Sequence, residues 1–162
     1  MKEEKAKIRI KVKTLIAGVN RIEASKKITQ KLEEFMPNKG FVLGFEPLSD
    51  EPDISTLIDK LKEEKRLVLV CGERSNPILV SDVKDISLAL IPGRAFDKRG
   101  VRLGRGGGTF DRILSKNKCL KIGVAFSVQI LDELPKESHD QPVDIIVTEK
   151  EIIKCNIDFS GK

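Results

Sequence analysis

At 162 residues, 40% hydrophobic and 34% charged, the chain is long enough for one domain that buries a core on both faces of a sheet. No apolar run approaches a membrane span, and the start MKEEKAKIRIK lacks the apolar stretch of a signal peptide, so no membrane association and a cytoplasmic location are expected. The charge of +5 comes from 30 Lys+Arg against 25 Asp+Glu, a mixed surface; with 4% aromatics and no Trp or Tyr there is no stacking platform for single strands, which ranks an anionic small molecule above nucleic acid as the partner.

The predicted elements alternate. Lys5 to Val19 sets Ile8, Val12, Leu15, Ile16 and Val19 on one face of a helix ending near Asn20. A second helix, Ile22 to Met36, carries Ile28, Leu32 and Phe35 and stops before Pro37 and Gly40. FVLGF (Phe41 to Phe45) reads as a strand, Ser55 to Glu64 as a helix with Leu57, Ile58 and Leu61 inward, and RLVLVC (Arg66 to Cys71) as a buried strand. Short apolar Ile78 to Val80 follows, then the strand ISLALI (Ile86 to Ile91), a Gly/Arg loop, and a helix carrying Phe110, Ile113 and Leu114. CLKIGVAF (Cys119 to Phe126) and DIIVTE (Asp144 to Glu149) close the series. This order predicts one α/β domain over residues 1–162, a mostly parallel sheet with helices on both faces in a Rossmann-like three-layer architecture. Cys71, Cys119 and Cys155 are an odd set, far apart, and read as reduced core thiols; lone His139 has no usual zinc spacing to them.

The loop after ISLALI carries the chemistry. Gly104, Gly106, Gly107 and Gly108 let backbone N–H groups approach an anion, and the helix that follows adds its unpaired donors. Arg102 and Arg105 add guanidinium forks, so a polyphosphate is the expected ligand. A dinucleotide fingerprint would require Gly where Thr109 stands, and a P-loop would require Lys and then Ser or Thr after the last Gly. Glycines alone fit a flexible turn or an RNA-binding Arg-Gly tract equally well; the position between a buried strand and a helix favours phosphate. In open α/β sheets ligands bind beyond the carboxyl ends of the strands, where this chain places Glu51, the loop, Gln129 and Glu149.

PGRAFDKRGVRLGRGGGTFDRIL resembles the signature of the 5-formyltetrahydrofolate cyclo-ligases, also called methenyltetrahydrofolate synthetases. VAFSVQ and LPKESHDQPVDIIVTE are similar to that family's closing pattern, KAKIR to its start, and DEPDISTLI to the region of its folate-contacting glutamate. The resemblance implies ATP- and Mg²⁺-dependent cyclisation of 5-formyltetrahydrofolate to 5,10-methenyltetrahydrofolate, with release of ADP and phosphate through a phosphorylated formyl intermediate. It places Lys5, Arg9, Arg102, Gly104, Arg105, Gly106, Gly107, Gly108, Thr109 and Phe110 on the nucleotide. Glu51, Phe110 and Gly106 fall on the folate, and Asp111 and Asp140 on Mg²⁺, with Asp144 as the competing second ligand; Arg102 and Asp111 carry the catalytic role. A monomer acting on small molecules is expected.

The sequence departs from the family pattern at Thr109 and Phe110, where two tyrosines are usual, at Ile54, where threonine is usual, and in a shorter link from Val70 to Ile86. Those departures keep two alternatives open: a diverged paralogue using ATP on another small molecule, and a non-enzymatic RNA-binding module using Arg94, Arg99, Arg102 and Arg105.

Overall fold

A computed structural model of the chain describes residues 1–70, 86–106 and 109–155. The apolar run Ile78 to Val80, Cys71, Gly107 and Gly108 lie outside those residues. Helix α1 runs Lys2–Ala17 and α2 Arg21–Glu33, followed by β1 Phe41–Phe45, α3 Ser55–Glu63, β2 Leu67–Val70 and β3 Ile86–Ile91. Then come the short strands β4 Ala95–Asp97 and β5 Arg102–Leu103, helix α4 Thr109–Lys116, β6 Leu120–Val124, a 3₁₀ turn Ser127–Gln129, β7 Ile130–Leu131, β8 Ile145–Val147 and β9 Ile152–Lys154.

Local chemistry explains the helix ends. Asn20 caps α2 by accepting the Glu23 N–H at 3.2 Å, the role in which a short amide side chain outcompetes water for an unpaired donor. Helix α1 starts three residues earlier than its apolar spacing suggests, with acidic Glu3 and Glu4 in its first turn, where the helix dipole favours negative charge.

Among the described residues, six strands form the main sheet in the order β2-β1-β3-β6-β8-β9, parallel except for the last pair. Alternation along each strand divides the core. Val42, Leu88, Leu90, Ile122, Val124 and Val147 face α1, α2 and α3 through Val12, Ile28, Leu32 and Leu61. Leu43, Ala89, Ile91 and Ile146 face the other way, toward Ile113 and Leu114 of α4. Each fully buried Leu or Ile contributes about 1.5–3 kcal/mol relative to its exposed state, so both layers are needed to hold the sheet. The three-layer expectation therefore stands, with β9 added as an antiparallel edge. Among the described residues no helix is long and apolar enough to cross a membrane.

A second, three-stranded sheet, β5-β4-β7, rises from the loop itself. Fully buried Asp97 organises it: Oδ1 accepts the N–H groups of Arg99 at 2.9 Å and Val101 at 3.2 Å, while Oδ2 accepts Leu134 N–H and Arg99 Nη2, each at 2.8 Å. Gly100, at φ +91°, closes this turn so tightly that a Cβ would sit 2.3 Å from the Val143 carbonyl oxygen. What the sequence presents as one long Gly/Arg loop is thus half ordered hairpin, up to Leu103. Because β1 lies between β2 and β3, the chain reverses its direction of travel across the sheet between β1 and β3. The loops leaving the carboxyl ends of those two strands meet at this switch point, where α/β sheets hold ligands.

Candidate active site

Arg102 is the centre of the site. Its side chain is 8% exposed, its Nε donates to the Pro92 carbonyl at 2.6 Å, and its guanidinium carbon lies 5.1 Å from the centre of the Phe110 ring. Burial pulls its pKa down, and the charges of Asp111, Glu51 and Asp140 oppose that shift. The Asp111 carboxylate is 4.0 Å from Nη1, long for a hydrogen bond. A buried fork held by its Nε and an aromatic face, without a tight carboxylate partner, is suited to an anionic ligand. A Cβ on Gly104 would lie 3.0 Å from Arg102 Nη2, so a larger residue there would crowd the guanidinium against the loop backbone.

Helix α1 closes one flank. Arg9 Nε donates to the Gly104 carbonyl at 2.9 Å and its guanidinium lies beside Gly106, which has φ +113°. One turn earlier on the same helix, Lys5 Nζ is 3.6 Å from Asp140 Oδ2 and 3.7 Å from Glu137 Oε1. Asp140 also accepts the Glu137 N–H at 2.8 Å, and the adjacent Gln141 N–H donates to Asp111 Oδ1 at 3.0 Å. The structure thereby gathers Lys5, Arg9, Arg102, Asp111 and Asp140 from three separate parts of the chain. Asp144 is elsewhere: it precedes β8 and exchanges hydrogen bonds with Lys121 at the amino ends of β6 and β8.

The β1 loop closes the opposite flank. Glu51 is 6% exposed and its Oε1 accepts the Leu48 N–H at 2.9 Å, while Arg21 donates to the Glu51 and Leu48 carbonyls at 2.8 and 2.9 Å and fixes the turn. Arg105, which the sequence places with the phosphates, turns toward this loop instead: Nη2 lies 2.6 Å from Asp50 Oδ1 and 3.5 Å from Glu51 Oε2. Arg94 holds the second oxygen of Asp50. Burial alone would raise the Asp50 pKa, but hydrogen bonds and charge from Arg105 and Arg94 hold it below the usual carboxylate range.

Phe110 is half-buried, one face covered by Arg102, and packs against both core layers. Gln129 and Glu149 do stand at the carboxyl edge, yet both are engaged structurally. Gln129 donates to the Gly93 and Arg94 carbonyls at 2.7 and 3.0 Å, and Glu149 accepts the Ser127 N–H at 2.7 Å. The four arginines of the RNA-binding alternative do not form an open basic stripe: Arg94 and Arg105 share Asp50, Arg99 is paired with Asp97, and Arg102 is buried. Asp50 and Arg21 escaped sequence reasoning, since an acidic residue in a loop and an arginine at a helix start carry no local signal of a long-range contact.

Comparison with known proteins agrees with this geometry. A profile of the 5-formyltetrahydrofolate cyclo-ligase family matches residues 73–149. A probable 5-formyltetrahydrofolate cyclo-ligase of Schizosaccharomyces pombe is 33% identical over 89 residues, 47% of this chain and 44% of that protein. The Haemophilus influenzae 5-formyltetrahydrofolate cyclo-ligase is 40% identical over 72 residues, 42% of this chain and 38% of its own length. These alignments thus span less than half of the curated relatives they match. The solved structure of Aquifex aeolicus 5,10-methenyltetrahydrofolate synthetase superposes with a TM-score of 0.74 at 30% identity, covering 94% of this chain and 93% of that one. That of a Mycoplasma pneumoniae 5,10-methenyltetrahydrofolate synthetase gives 0.70 at 27% identity, covering 90% and 99%. Pyrococcus horikoshii translation initiation factor eIF-2B, at 12% identity and a TM-score of 0.57, shares the fold alone. With a 30% identical relative covered nearly end to end and a buried Arg102 framed by the loop, α1 and the β1 turn, the chain belongs to the 5-formyltetrahydrofolate cyclo-ligase family.

Proposed function

We propose that the chain catalyses the ATP-dependent cyclisation of 5-formyltetrahydrofolate to 5,10-methenyltetrahydrofolate. The observation that carries this reading is the convergence of Arg9 and Arg102 on the Gly104 to Gly106 turn at the β1/β3 switch point, with Lys5 one helical turn from Arg9 beside Asp140 and buried Glu51 on the opposite flank. One flank is cationic and suits phosphates; the other offers a carboxylate to the N–H groups of a pterin ring.

The chemistry follows from the substrate. A formamide oxygen is a poor leaving group, so it attacks the γ-phosphorus of ATP and ADP departs. N10 then attacks the activated carbon and gives up its proton, and the oxygen leaves as phosphate. In-line phosphoryl transfer asks mainly for positioning and charge stabilisation. Arg102 stabilises the phosphoryl group in flight, Lys5 and Arg9 hold the nucleotide together with the loop and its helix, including Gly107, Gly108 and Thr109, and Glu51 orients the pterin against Gly106 and Phe110. Asp111 and Asp140 are hard oxygen donors on the Arg102 side of the crevice, a set that fits Mg²⁺, which takes one or two protein carboxylates together with phosphate oxygens. When bound, the ion would neutralise phosphate charge; Lys5 now supplies the countercharge to Asp140. We place the protein in the cytoplasm as a monomer.

A coupled assay of ADP release tests the reading. ADP production that appears only when 5-formyltetrahydrofolate is added supports it; production at the same rate without folate would make the chain an ATPase of another kind.

A further inference from the structure

Arg105 stands where the two flanks of the crevice meet. Its guanidinium is shared by Asp50 Oδ1 at 2.6 Å and Glu51 Oε2 at 3.5 Å. The other end of the Asp50 bridge is anchored, because Arg94 is 13% exposed and its carbonyl is held by Gln129 Nε2 at 3.0 Å. Arg105 itself is 40% exposed and sits between Gly104 and Gly106, so of the two guanidinium groups on Asp50 it is the exchangeable one. Glu51 already has Oε1 on the Leu48 N–H, which leaves Oε2 as the oxygen that Arg105 covers.

We propose that Arg105 is a shared cation that couples the two ligands. In the free protein it bridges Asp50 and caps Glu51; a triphosphate on the Gly104 to Gly106 turn draws it away, because several phosphate charges and a bidentate geometry outcompete its contacts to Asp50 Oδ1 at 2.6 Å and Glu51 Oε2 at 3.5 Å, while Asp50 keeps Arg94. Glu51 Oε2 is then open to the N–H groups of the pterin. Nucleotide binding therefore strengthens folate binding, and by linkage folate strengthens nucleotide binding by the same factor. This inference rests on the reading that one crevice takes both ligands.

Calorimetric titration of 5-formyltetrahydrofolate into the whole chain, with and without a saturating non-hydrolysable ATP analogue and Mg²⁺, tests it. The wild type should bind folate about fivefold or more tightly with the analogue present. Arg105→Gln should bind folate without the analogue at least as well as the wild type, and show less than about a twofold response to it. Arg105→Lys, which restores the charge without the fork, should recover a response between the two. A wild type that binds both ligands without coupling, or an Arg105→Gln variant coupled as strongly as the wild type, overturns this inference and leaves the functional reading standing. A wild type that binds neither ligand overturns both.

Discussion

Replacing Arg102 by alanine separates its role in the fold from the one proposed for it toward the nucleotide. In the fold it loses the Nε bond to the Pro92 carbonyl and its stacking on Phe110. The first, donated by a charged guanidinium, is worth about 1.5–3 kcal/mol and the second about 0.5–2 kcal/mol. Removing a guanidinium that is 8% exposed also abolishes a desolvation cost, so the net loss of stability should be about 1–2 kcal/mol. A domain of ordinary stability, about 5–15 kcal/mol, survives that. Toward a nucleotide, the variant loses a charge-assisted contact worth about 1.5–3 kcal/mol, a drop in affinity of about ten- to 150-fold. Calorimetry with a non-hydrolysable ATP analogue, on protein shown by thermal melting to be folded, reads this directly. Lys118→Ala, an exposed cation after α4, is the control. Equal affinity losses in the two variants, or none in folded Arg102→Ala, would refute the assignment of Arg102 to the phosphates.

Asp111→Asn keeps an acceptor for the Gln141 N–H and should fold normally, but kcat should fall about a hundredfold or more as a transition-state electrostatic contact is lost; wild-type kcat with unchanged Mg²⁺ dependence would remove Asp111 from the site. Gly100→Ala combines a positive φ with a Cβ 2.3 Å from the Val143 carbonyl oxygen, so it should lower stability by about 2 kcal/mol or more, seen as a fall in Tm, with normal turnover in the folded fraction. The Cys155 thiol is pushed up to about 12 by burial and then by the charges of Asp144 and Asp97. The folded state holds this proton more tightly than the unfolded chain, so its contribution is intact below about 9 and is lost as pH rises toward 12. Melting curves of Cys155→Ala should therefore decline less steeply above pH 9 than those of the wild type.

What could be read from the sequence followed how local each feature is. FVLGF and ISLALI are apolar runs buried on both faces, and the strands Phe41–Phe45 and Ile86–Ile91 begin and end where those runs do. Helix α1 begins earlier than expected because Lys2 to Glu4 carry no apolar period, only favourable end charges. Strands β4, β5 and β7 span two or three residues each and exist through pairing across the chain and through the Asp97 carboxylate, so no periodicity could announce them. The same division holds in the site. The Gly/Arg turn from Arg102 to Gly106 stands out in the sequence, whereas the direction of Arg105 depends on Asp50, 55 positions away, and that of Arg94 on the same residue 44 positions away. The placement of Asp140 rather than Asp144 beside Lys5 likewise depends on where the segment before β8 crosses α1, a tertiary fact with no local signature.

In the proposed function this crevice closes the folate ring at the expense of ATP. Absorbance of the methenyl product, followed from 5-formyltetrahydrofolate with purified chain, Mg²⁺ and ATP, is its most direct test. Product should form in step with ATP consumed, be absent without ATP and fall about a hundredfold or more in Asp111→Asn. Absence of product while both ligands bind, or product formed equally well without ATP, would contradict it.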